Sequence, residues 1–570
     1  MQILTREVNE HQLDQVLSPI LRRVYAARGI REFSELNRSL SALQSPARLP
    51  DIERAAKRLA DAVVAQEHIL IVGDFDADGA TAVALCVKIL RDMGATEVSF
   101  LVPNRFEFGY GLSPEIVALA ARQSPQVIIT VDNGVSSVAG VHKANDLGID
   151  VIVTDHHLPG PELPAAYAIV NPNLPQAQFP SRAMAGVGVA YYVMSALRSE
   201  LRTRQWFEQR SEPNLAQYLD LVALGTVADV VPLDANNRIL VHQGVARMRA
   251  GKCLPGIKAI AEIARRNLST LSAQDLGFAL GPRLNAAGRL EDMSLGIKCL
   301  LADDIGTARE MATALDRLNQ ARRELEQDMV GDAEYMLASD QLDTDRLGLT
   351  VYHESFHQGV VGIVAGRLRE KFNKPVIAFA DAGPSAPDEL KGSARSIAGL
   401  HIRDVLDWVA ASHPGLLLKF GGHAMAAGLS IKRAHLERFK VIFDKAVQQY
   451  ANDELFQARM LTDGELEAED LSLEMAQVLA DGGPWGSGFP EPAFIGTFSV
   501  VSQRVVGEQH LKLVLKNDGR VIDAIAFRQA PLVDATQNVR IVYRLSINDF
   551  GQWPTPQLMV EYLEPAVTSH

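Results

Sequence analysis

Residues 68–79 read HILIVGDFDADG, and this stretch decides the fold. Its run of four apolar residues is typical of a short strand that is buried on both faces. Three carboxylates follow the run at a spacing of two residues, Asp74, Asp76 and Asp78. A helical pattern begins directly afterwards, over residues 80–93. The stretch therefore predicts a strand, an acidic turn and a helix, which is the opening of a βαβ unit.

Later apolar runs end in the same kind of residue. The run 127–131 is followed by Asp132, and the run 151–154 is followed by Asp-His-His at 155–157. A fourth candidate for such an end is Asp229, which follows the segment GTVA at 225–228. Ligands of open α/β sheets bind at the carboxyl ends of the strands, so we expect these side chains to converge. Clustered carboxylates repel one another unless a cation compensates, and oxygen ligands with an imidazole suit Mn²⁺ or Mg²⁺.

The acidic turn has three other interpretations. A single Asp after a strand is usually a helix cap, but the cap alone does not explain the repetition at several strand ends. The order Asp74-x-Asp76-x-Asp78 resembles the start of an EF-hand loop, yet the twelfth position holds Leu85 and a strand precedes it. An aspartyl-phosphate phosphatase would use Asp76 as a nucleophile and would leave the two histidines unexplained.

The rest of the chain predicts an α/β fold with several parts. Strands alternate with helices up to residue 170, which indicates a mostly parallel sheet, and further helices are expected at 186–201 and 215–224. In the later part of the chain, strands are expected at 349–353 and 376–379. Apolar residues recur every three or four positions over 303–340, where we predict a helix about 50 Å long, either a peripheral packing helix or a connector between two lobes. The expected segments are a lead-in (1–50), a first α/β lobe (51–302), the long helix (303–340), a second α/β lobe (341–450) and an all-β, barrel-like module (451–570).

Composition excludes several classes of protein. Of the 570 residues, 47% are hydrophobic and 22% are charged, which is ordinary for a globular protein and excludes disorder over most of the chain. No apolar run reaches the roughly 20 residues that span a bilayer, and the N-terminus has no secretory pattern. Three scattered cysteines point to a reducing compartment, so we expect a cytoplasmic protein. The net charge of −13 argues against wholesale coating of a polyanion but leaves room for a local basic groove.

With the acidic motifs in place, the chain resembles the DHH phosphoesterase superfamily. Its four motifs are similar to Asp76 with Asp78, Asp132, the Asp-His-His at 155–157, and Asp229. The segment GGHAMAAG at 421–428 resembles the signature of the DHH-associated domain. Two more segments resemble the RecJ family of bacterial single-strand-specific 5′→3′ exonucleases, namely GPRLNAAGR at 281–289 and HQGVVGIVAG at 357–366. The resemblance covers nearly the whole chain, and it makes the tail an OB-like module.

The resemblance implies a site with two divalent metal ions, with Asp132 as the carboxylate that bridges them. The implied metal ligands are Asp76, Asp78, Asp132, His156 and Asp229. The implied catalytic or supporting residues are Asp74, Asp155, His157, Arg283 and His423. His157 either orients a ligand imidazole or touches the scissile phosphate, and the sequence leaves both roles open.

The resemblance also implies contacts with DNA. Arg105, Ser393 and Arg395 resemble a pocket for a terminal 5′ phosphate, for which a guanidinium fork is suited. Arg289 and Asn285 would bind the substrate near the metals. Phe527, Tyr543 and Phe550 in the tail are either stacking platforms or core residues. Basic residues that would line an OB groove are Lys512, Lys516, Arg520, Arg528, Arg540 and Arg544.

Together these features predict a metal-dependent exonuclease that hydrolyses single-stranded DNA from the 5′ end to nucleotides. The family role is DNA repair and recombination, with a helicase and single-strand binding protein as expected partners and a monomer as the expected state. The alternative within the superfamily is a phosphoesterase of oligoribonucleotides or cyclic dinucleotides, whose members resemble only the two α/β lobes. A catalytically dead nucleic-acid scaffold is a third hypothesis, which the complete set of metal-type residues disfavours.

Overall fold

The computed structural model describes residues 1–8, 13, 17–104, 110–339, 346–384, 386–507, 509–529, 538–549 and 551–566. The chain divides into two compact units. The larger unit comprises residues 4–316 and 461–570, and the smaller unit comprises residues 1–3 and 317–460. No helix among the described residues is long and apolar enough to cross a membrane.

A five-stranded sheet organises the first part of the larger unit. After strand β1 (Gln2–Thr5), this sheet is built from β2 to β6 in the order β3-β2-β4-β5-β6, with every pair parallel. Strands β2 and β4 are buried along their whole length, because helices cover both faces. Its strands are β2 (Ile69–Val72), β3 (Val98–Leu101), β4 (Val127–Val131), β5 (Asp150–Thr154) and β6 (Ala168–Val170).

The helices of the larger unit alternate with strands up to β6, as predicted, and residues 171–302, all of them described, form helices without a strand. The helix that begins in the acidic turn is buried along almost every residue, from Ala77 to Leu90. The predicted helix 215–224 is a short 3-10 turn, Leu215–Tyr218, followed by an α-helix. The α-helices of eight or more residues are Pro19–Ala26, Ile52–Ala65, Ala77–Asp92, Pro114–Ala121, Val138–Asp146, Gly186–Thr203, Leu219–Ala228, Ala235–Arg249, Pro255–Ile263, Gly281–Leu290, Ser294–Leu301 and Leu473–Asp481.

The long helix is confirmed as Ile305–Ser339, 35 residues. At about 1.5 Å per residue it is roughly 50 Å long. The boundary between the two compact units falls inside it, after Asp316. Its residues 317–339 therefore count with the smaller unit.

The smaller unit contains a mixed five-stranded sheet in the order β10-β11-β9-β8-β7. The expected strands near 349–353 and 376–379 are present and pair in parallel, whereas the three remaining strands pair antiparallel. The sequence analysis did not predict those three strands. The strands are β7 (Leu349–Tyr352), β8 (Val376–Asp381), β9 (Glu389–Arg395), β10 (Lys419–Gly422) and β11 (Ala426–Lys432), and the other helices are Val361–Phe372, Ile402–Ser412 and Leu436–Tyr450.

The tail of the chain is a closed five-stranded barrel, as the OB-like prediction requires. After β12 (Arg459–Thr462), the barrel has the order β13-β14-β15-β17-β16. Alternation along β14 turns three leucines inward and leaves the intervening residues half-exposed. The barrel strands are β13 (Phe494–Val506), β14 (His510–Asn517), β15 (Arg520–Ala526), β16 (Asn538–Asn548) and β17 (Thr555–Pro565).

Candidate metal centre

The parallel sheet brings the acidic residues together, because its strands end at one edge. The turn after β2 carries Asp74, Asp76 and Asp78, and the residue after β4 is Asp132. Residues 155–157 follow β5 in the same way. Asp229 follows no strand and is instead the residue that ends the Leu219–Ala228 helix. The convergence predicted from the strand ends is thus present.

His156 lies in the middle of the carboxylates. Its Nε2 atom is 3.0 Å from Oδ1 of Asp132, 3.5 Å from Oδ2 of Asp229 and 4.0 Å from Oδ2 of Asp78. The site contains three overlapping sets of three residues. Within each set, one donor atom from every residue lies within 4.8 Å of the other two, a spacing that suits a metal ion. The sets are Asp132 with His156 and His157, Asp78 with His156 and Asp229, and Asp74 with Asp76 and Asp132.

Asp78 and Asp132 are positioned by the start of one helix. The backbone N–H groups of Gly186 and Val187 donate to the Asp78 carboxylate at 2.6 and 2.8 Å. A Cβ atom at Gly186 would lie 2.6 Å from Cβ of Asp132, so only glycine admits this approach. Asp132 itself has φ 62°, a left-handed conformation that is uncommon for a residue with a side chain. Such strained residues cluster at functional sites.

Burial makes the carboxylate charges costly. It is the main cause that raises the pKa of Asp78 to about 7, with the nearby Asp76 as the next cause. Burial, and then the neighbouring carboxylates, also raise the pKa values of Asp132 and Asp229 well above their usual range. In addition, Oδ1 of Asp132 is buried and accepts no hydrogen bond from the residues that the structure describes. A divalent cation would neutralise these charges and coordinate that oxygen, so the residues fit a metal site.

Asp155 organises the neighbouring histidine rather than joining the cluster. Its carboxylate accepts the backbone N–H groups of Val135, His156 and His157, at 2.7 to 3.1 Å, and lies 2.7 Å from Nδ1 of His157. Burial opposes both charges, but this pairing outweighs it, lowering the pKa of Asp155 and raising the pKa of His157. His157 is therefore held in a fixed orientation with a stabilised positive charge.

Tyr110 is a site residue that the sequence analysis missed. Its hydroxyl donates to the Asp132 backbone carbonyl at 3.0 Å and lies 3.1 Å from Nδ1 of His157. Its ring contacts those of Phe75 and His157 edge to face. Although 49% of the residue is exposed, its hydroxyl is turned inward. No sequence motif marks this tyrosine, and only the folded chain brings it to the strand ends.

The Gly281–Leu290 helix lies against the acidic turn. Oδ1 of Asn285 accepts a hydrogen bond from the Ala77 backbone N–H at 2.8 Å. The Arg283 guanidinium donates to Asp316 at 2.8 to 2.9 Å and to the Ala279 carbonyl at 2.6 Å. Arg289 lies in the last turn of the same helix. The roles expected for these three residues toward substrate stay predictions.

The other expected phosphate-binding residues lie in the smaller unit. Ser393 and Arg395 alternate on β9, and Nη1 of Arg395 donates to Oγ of Ser393 at 3.0 Å. A Cβ atom at Gly362, in the first turn of the Val361–Phe372 helix, would lie 2.9 Å from Nη2 of Arg395. His423 is in the turn between β10 and β11. Arg105 lies outside the described residues.

Comparisons with known proteins agree with this arrangement. Residues 68–226 match the DHH family, N-terminal domain, residues 346–451 match the DHHA1 domain, and residues 462–562 match the RecJ OB domain. The chain is 52% identical over 575 residues to the single-stranded-DNA-specific exonuclease RecJ of Dickeya dadantii strain 3937. It is 51% identical over 575 residues to that of Escherichia coli strain K12, and both comparisons cover 99% of each chain. The chain belongs to the RecJ family.

Solved RecJ structures extend the agreement to the fold. RecJ from Thermus thermophilus in complex with Mn²⁺ matches with a TM-score of 0.82 and 28% identity, over 99% of this chain and 79% of that chain. The same RecJ in complex with Mg²⁺ matches with a TM-score of 0.74 and 27% identity, over 99% of this chain and 78% of that chain. The resemblance found in the motifs is therefore confirmed for both α/β parts and for the barrel.

Proposed function

We propose that this chain is a metal-dependent exonuclease that hydrolyses single-stranded DNA from the 5′ end and releases nucleotides. The observation that carries the proposal is the convergence of buried carboxylates and two histidines at the strand ends of the parallel sheet. Full-length relatives that are single-stranded-DNA-specific exonucleases support the substrate class. The direction of degradation rests on the family resemblance and on the phosphate pocket described below.

We assign the metal centre two divalent ions, Mn²⁺ or Mg²⁺. Asp76, Asp78, Asp132, His156 and Asp229 would hold them. Asp132 belongs to two of the three donor sets, which supports it as the bridging carboxylate. When bound, a pair of such ions activates a water and stabilises the leaving oxygen of a phosphoryl displacement.

The protein's own groups complete the site. Asp155 fixes the His157 ring and stabilises its protonated form, so the imidazolium can donate a hydrogen bond to a phosphate oxygen as charge develops there. The Tyr110 hydroxyl, which contacts both His157 and the Asp132 backbone, limits how far these two can separate. Its exposed ring offers a flat apolar face at the entrance to the site.

Ser393 and Arg395 suit a terminal 5′ phosphate. Burial lowers the pKa of Arg395, and Arg369 lowers it further, so the local environment disfavours the cation unless an anion is present. Among the described residues, no carboxylate contributes to the pKa of Arg395 to offset these two causes. The start of the Val361–Phe372 helix lies alongside, and helix N-termini attract phosphate. His423 and Arg105 are proposed to contact the same strand of DNA.

The outer face of β14 and β15 suits the rest of the single strand. His510 and Phe527 contact edge to face there, with Phe527 49% exposed. Lys512 and Lys516 point outward on the same strand, although Lys512 is 3.5 Å from Asp523. Tyr543 is fully buried, so of the two expected roles it is a core residue. Phe550 lies outside the described residues. OB folds bind single strands with such aromatic and basic faces.

The wider role follows the family. We propose a part in DNA repair and recombination in the cytoplasm, with a helicase and single-strand binding protein as partners and a monomeric enzyme. The alternative, a phosphoesterase of oligoribonucleotides or cyclic dinucleotides, is not favoured, because the RecJ similarity covers nearly the whole chain, including the barrel.

Degradation of labelled DNA tests the proposal. Single strands carrying a label at either end should lose the 5′ label first as mononucleotide, in Mn²⁺ or Mg²⁺ and not in EDTA. A blunt duplex of the same sequence and a cyclic dinucleotide serve as competing substrates. Release of the 3′ label first would overturn the direction, and preference for the cyclic dinucleotide would overturn the substrate class.

A further inference from the structure

The acidic turn is touched by one helix at two points that are three residues apart. Asn285 of the Gly281–Leu290 helix accepts the Ala77 backbone N–H through its Oδ1 atom at 2.8 Å. At Gly288 of the same helix, a Cβ atom would lie 1.7 Å from the carbonyl oxygen of Phe75. The two contacts hold the backbone on both sides of Asp76. They fix where the carboxylates of this turn can point.

The Ala77 amide needs a partner from outside its own helix. Ala77 is the first residue of the Ala77–Asp92 helix, and the first N–H groups of a helix have no partner within it. The Oδ1 atom of the capping residue, Asp76, accepts a hydrogen bond from the Gly79 N–H at 3.0 Å and not from Ala77. Ala77 is also almost fully buried, at 1% exposure. Without Asn285, the turn would lose the acceptor for this buried amide.

The supporting helix is itself anchored on two sides. Arg283 pairs with Asp316 at 2.8 Å, in the long helix. At Gly281, a Cβ atom would lie 3.0 Å from that of Ala228, the residue before Asp229. One helix therefore packs against two of the segments that carry proposed metal ligands, the acidic turn and the end of the Leu219–Ala228 helix.

From these contacts we infer that Asn285 is a positioning residue for the metal centre, which acts through the backbone of the acidic turn rather than by binding DNA. The inference rests on the proposed function, since it requires that the turn binds divalent ions. It replaces the expectation from the sequence that Asn285 binds substrate. Groups that orient metal ligands typically change metal affinity or activity by about 10- to 100-fold when they are removed.

Binding of Mn²⁺ to the full chain without DNA, measured by isothermal titration calorimetry, separates the two roles. Asn285→Ala should weaken Mn²⁺ binding by about tenfold or more. At saturating Mn²⁺, its KM for single-stranded DNA should stay within about threefold of the unmodified protein. Asn285→Asp keeps an oxygen acceptor at the same place, so its Mn²⁺ affinity should be closer to the unmodified value. Asn214→Ala is a matched control, because Asn214 caps a remote short helix through the same kind of contact, to the Ala216 N–H at 3.1 Å.

The outcomes divide cleanly. Unchanged Mn²⁺ affinity in Asn285→Ala would overturn the inference, whether the KM for DNA rises or not. A loss of Mn²⁺ affinity that is equal in Asn214→Ala would also overturn it, because the effect would then be general destabilisation. Gly288→Ala is a second test that removes no polar group. Its Cβ atom would displace the Phe75 carbonyl, so it too should weaken Mn²⁺ binding, even though alanine favours helices. If the unmodified protein binds no Mn²⁺, the proposed metal centre itself fails.

Discussion

Asp132 combines a left-handed backbone, a buried carboxylate and a place in two sets of metal donors. Among the described residues its Oδ1 atom accepts no hydrogen bond, and it lies 3.0 Å from Nε2 of His156. The surrounding structure thus holds the ionised carboxylate in a costly state, which a bound proton or a bound cation would relieve. This is the behaviour of a group selected for function at the expense of stability.

Asp132→Asn should therefore separate activity from stability. We expect hydrolysis of single-stranded DNA to fall by more than about 100-fold, because even supporting partners of metal ligands are worth about 10- to 100-fold. In EDTA the melting temperature should stay equal or rise, because the amide carries no charge to bury. The checks are nuclease assays and thermal melting without metal. Activity within tenfold of the unmodified protein would contradict the bridging role.

The second prediction concerns recognition of the terminal 5′ phosphate of DNA by Arg395. Arg395→Ala should reduce kcat/KM on 5′-phosphorylated DNA by about 10- to 100-fold, since hydrogen bonds to charged groups are worth about 1.5–3 kcal/mol. On 5′-hydroxyl DNA the loss should be much smaller. Arg403→Ala is the control, because Arg403 pairs with Asp407 on an exposed helix of the same unit. If the ratio between the two substrates does not change, Arg395 does not read the terminal phosphate.

At the scale of the element, we expect the start of the Ala77–Asp92 helix to couple metal binding, proton binding and folding stability. The pKa of Asp78 is raised from its ordinary value of about 4 to about 7 in the folded, metal-free protein. Ionising Asp78 therefore destabilises the folded protein. The free energy of unfolding decreases progressively as the pH rises from about 4 to about 7. Above that range the full cost remains until a cation compensates the charge.

Metal-dependent stabilisation should accordingly increase with pH. We expect the rise in melting temperature on adding Mn²⁺ to be larger at pH 8 than at pH 5.5, since protons compete with the metal for the same carboxylates. Thermal melting in EDTA and in Mn²⁺ at the two pH values measures this. Asp78→Asn should reduce the difference between the two pH values. A Mn²⁺ effect that is the same at both would contradict the assignment of Asp78 as a ligand.

The sequence predicted those elements whose burial makes almost all of their residues apolar. Strands β2 and β4 are buried on both faces, and their sequences, ILIV and VIITV, are apolar except for Thr130. Strand β9 was missed because it reads ELKGSAR and is buried only at alternate residues. Strand β17 begins Thr-Pro-Gln, which resembles a turn, and its place is fixed by pairing with β15 and β16. Half-exposed strands depend on partners that are distant in the chain.

The candidate site divides in the same way. The acidic turn, Asp132 and the histidines could be predicted, because each follows a recognisable strand. Tyr110 could not, since it reaches the site by a contact with a residue 47 positions away. The hydrogen bond of Asn285 spans 208 positions. Motif resemblance found this asparagine, but only the fold shows which atom it contacts.

At the scale of the whole molecule, the end of the chain is built into the larger unit. Arg28 forms two hydrogen bonds with Asp463, at 2.9 and 3.1 Å, and both side chains are almost completely buried. The Trp485 ring stacks on Phe489 with centroids 5.1 Å apart, and Tyr25 stacks on both. These contacts join the Pro19–Ala26 helix to the segment before the barrel. The barrel is therefore not a detachable appendage.

Truncation after Ala451 should for this reason damage the enzyme as a whole. Loss of the stacked rings exposes the apolar face of Tyr25, and loss of Asp463 removes the partner of a buried arginine, which typically costs about 3–5 kcal/mol. We expect a lower melting temperature and loss of activity on short and long oligonucleotides alike. Thermal melting and nuclease assays on strands of about 5 and 50 nucleotides measure both effects.

A point substitution isolates the role in DNA binding that truncation obscures. Phe527→Ala leaves the barrel core intact, since the ring is 49% exposed, and should weaken binding of long single strands by about 5- to 100-fold, the range of one stacking contact of about 1–3 kcal/mol. Phe33→Ala is the control, at 50% exposure and away from the barrel. Hydrolysis of short strands should be unaffected in both. If the truncated protein instead melts near the full chain and cuts short strands normally, the tail is an independent module and the buried contacts with Arg28 and Tyr25 contribute little to stability.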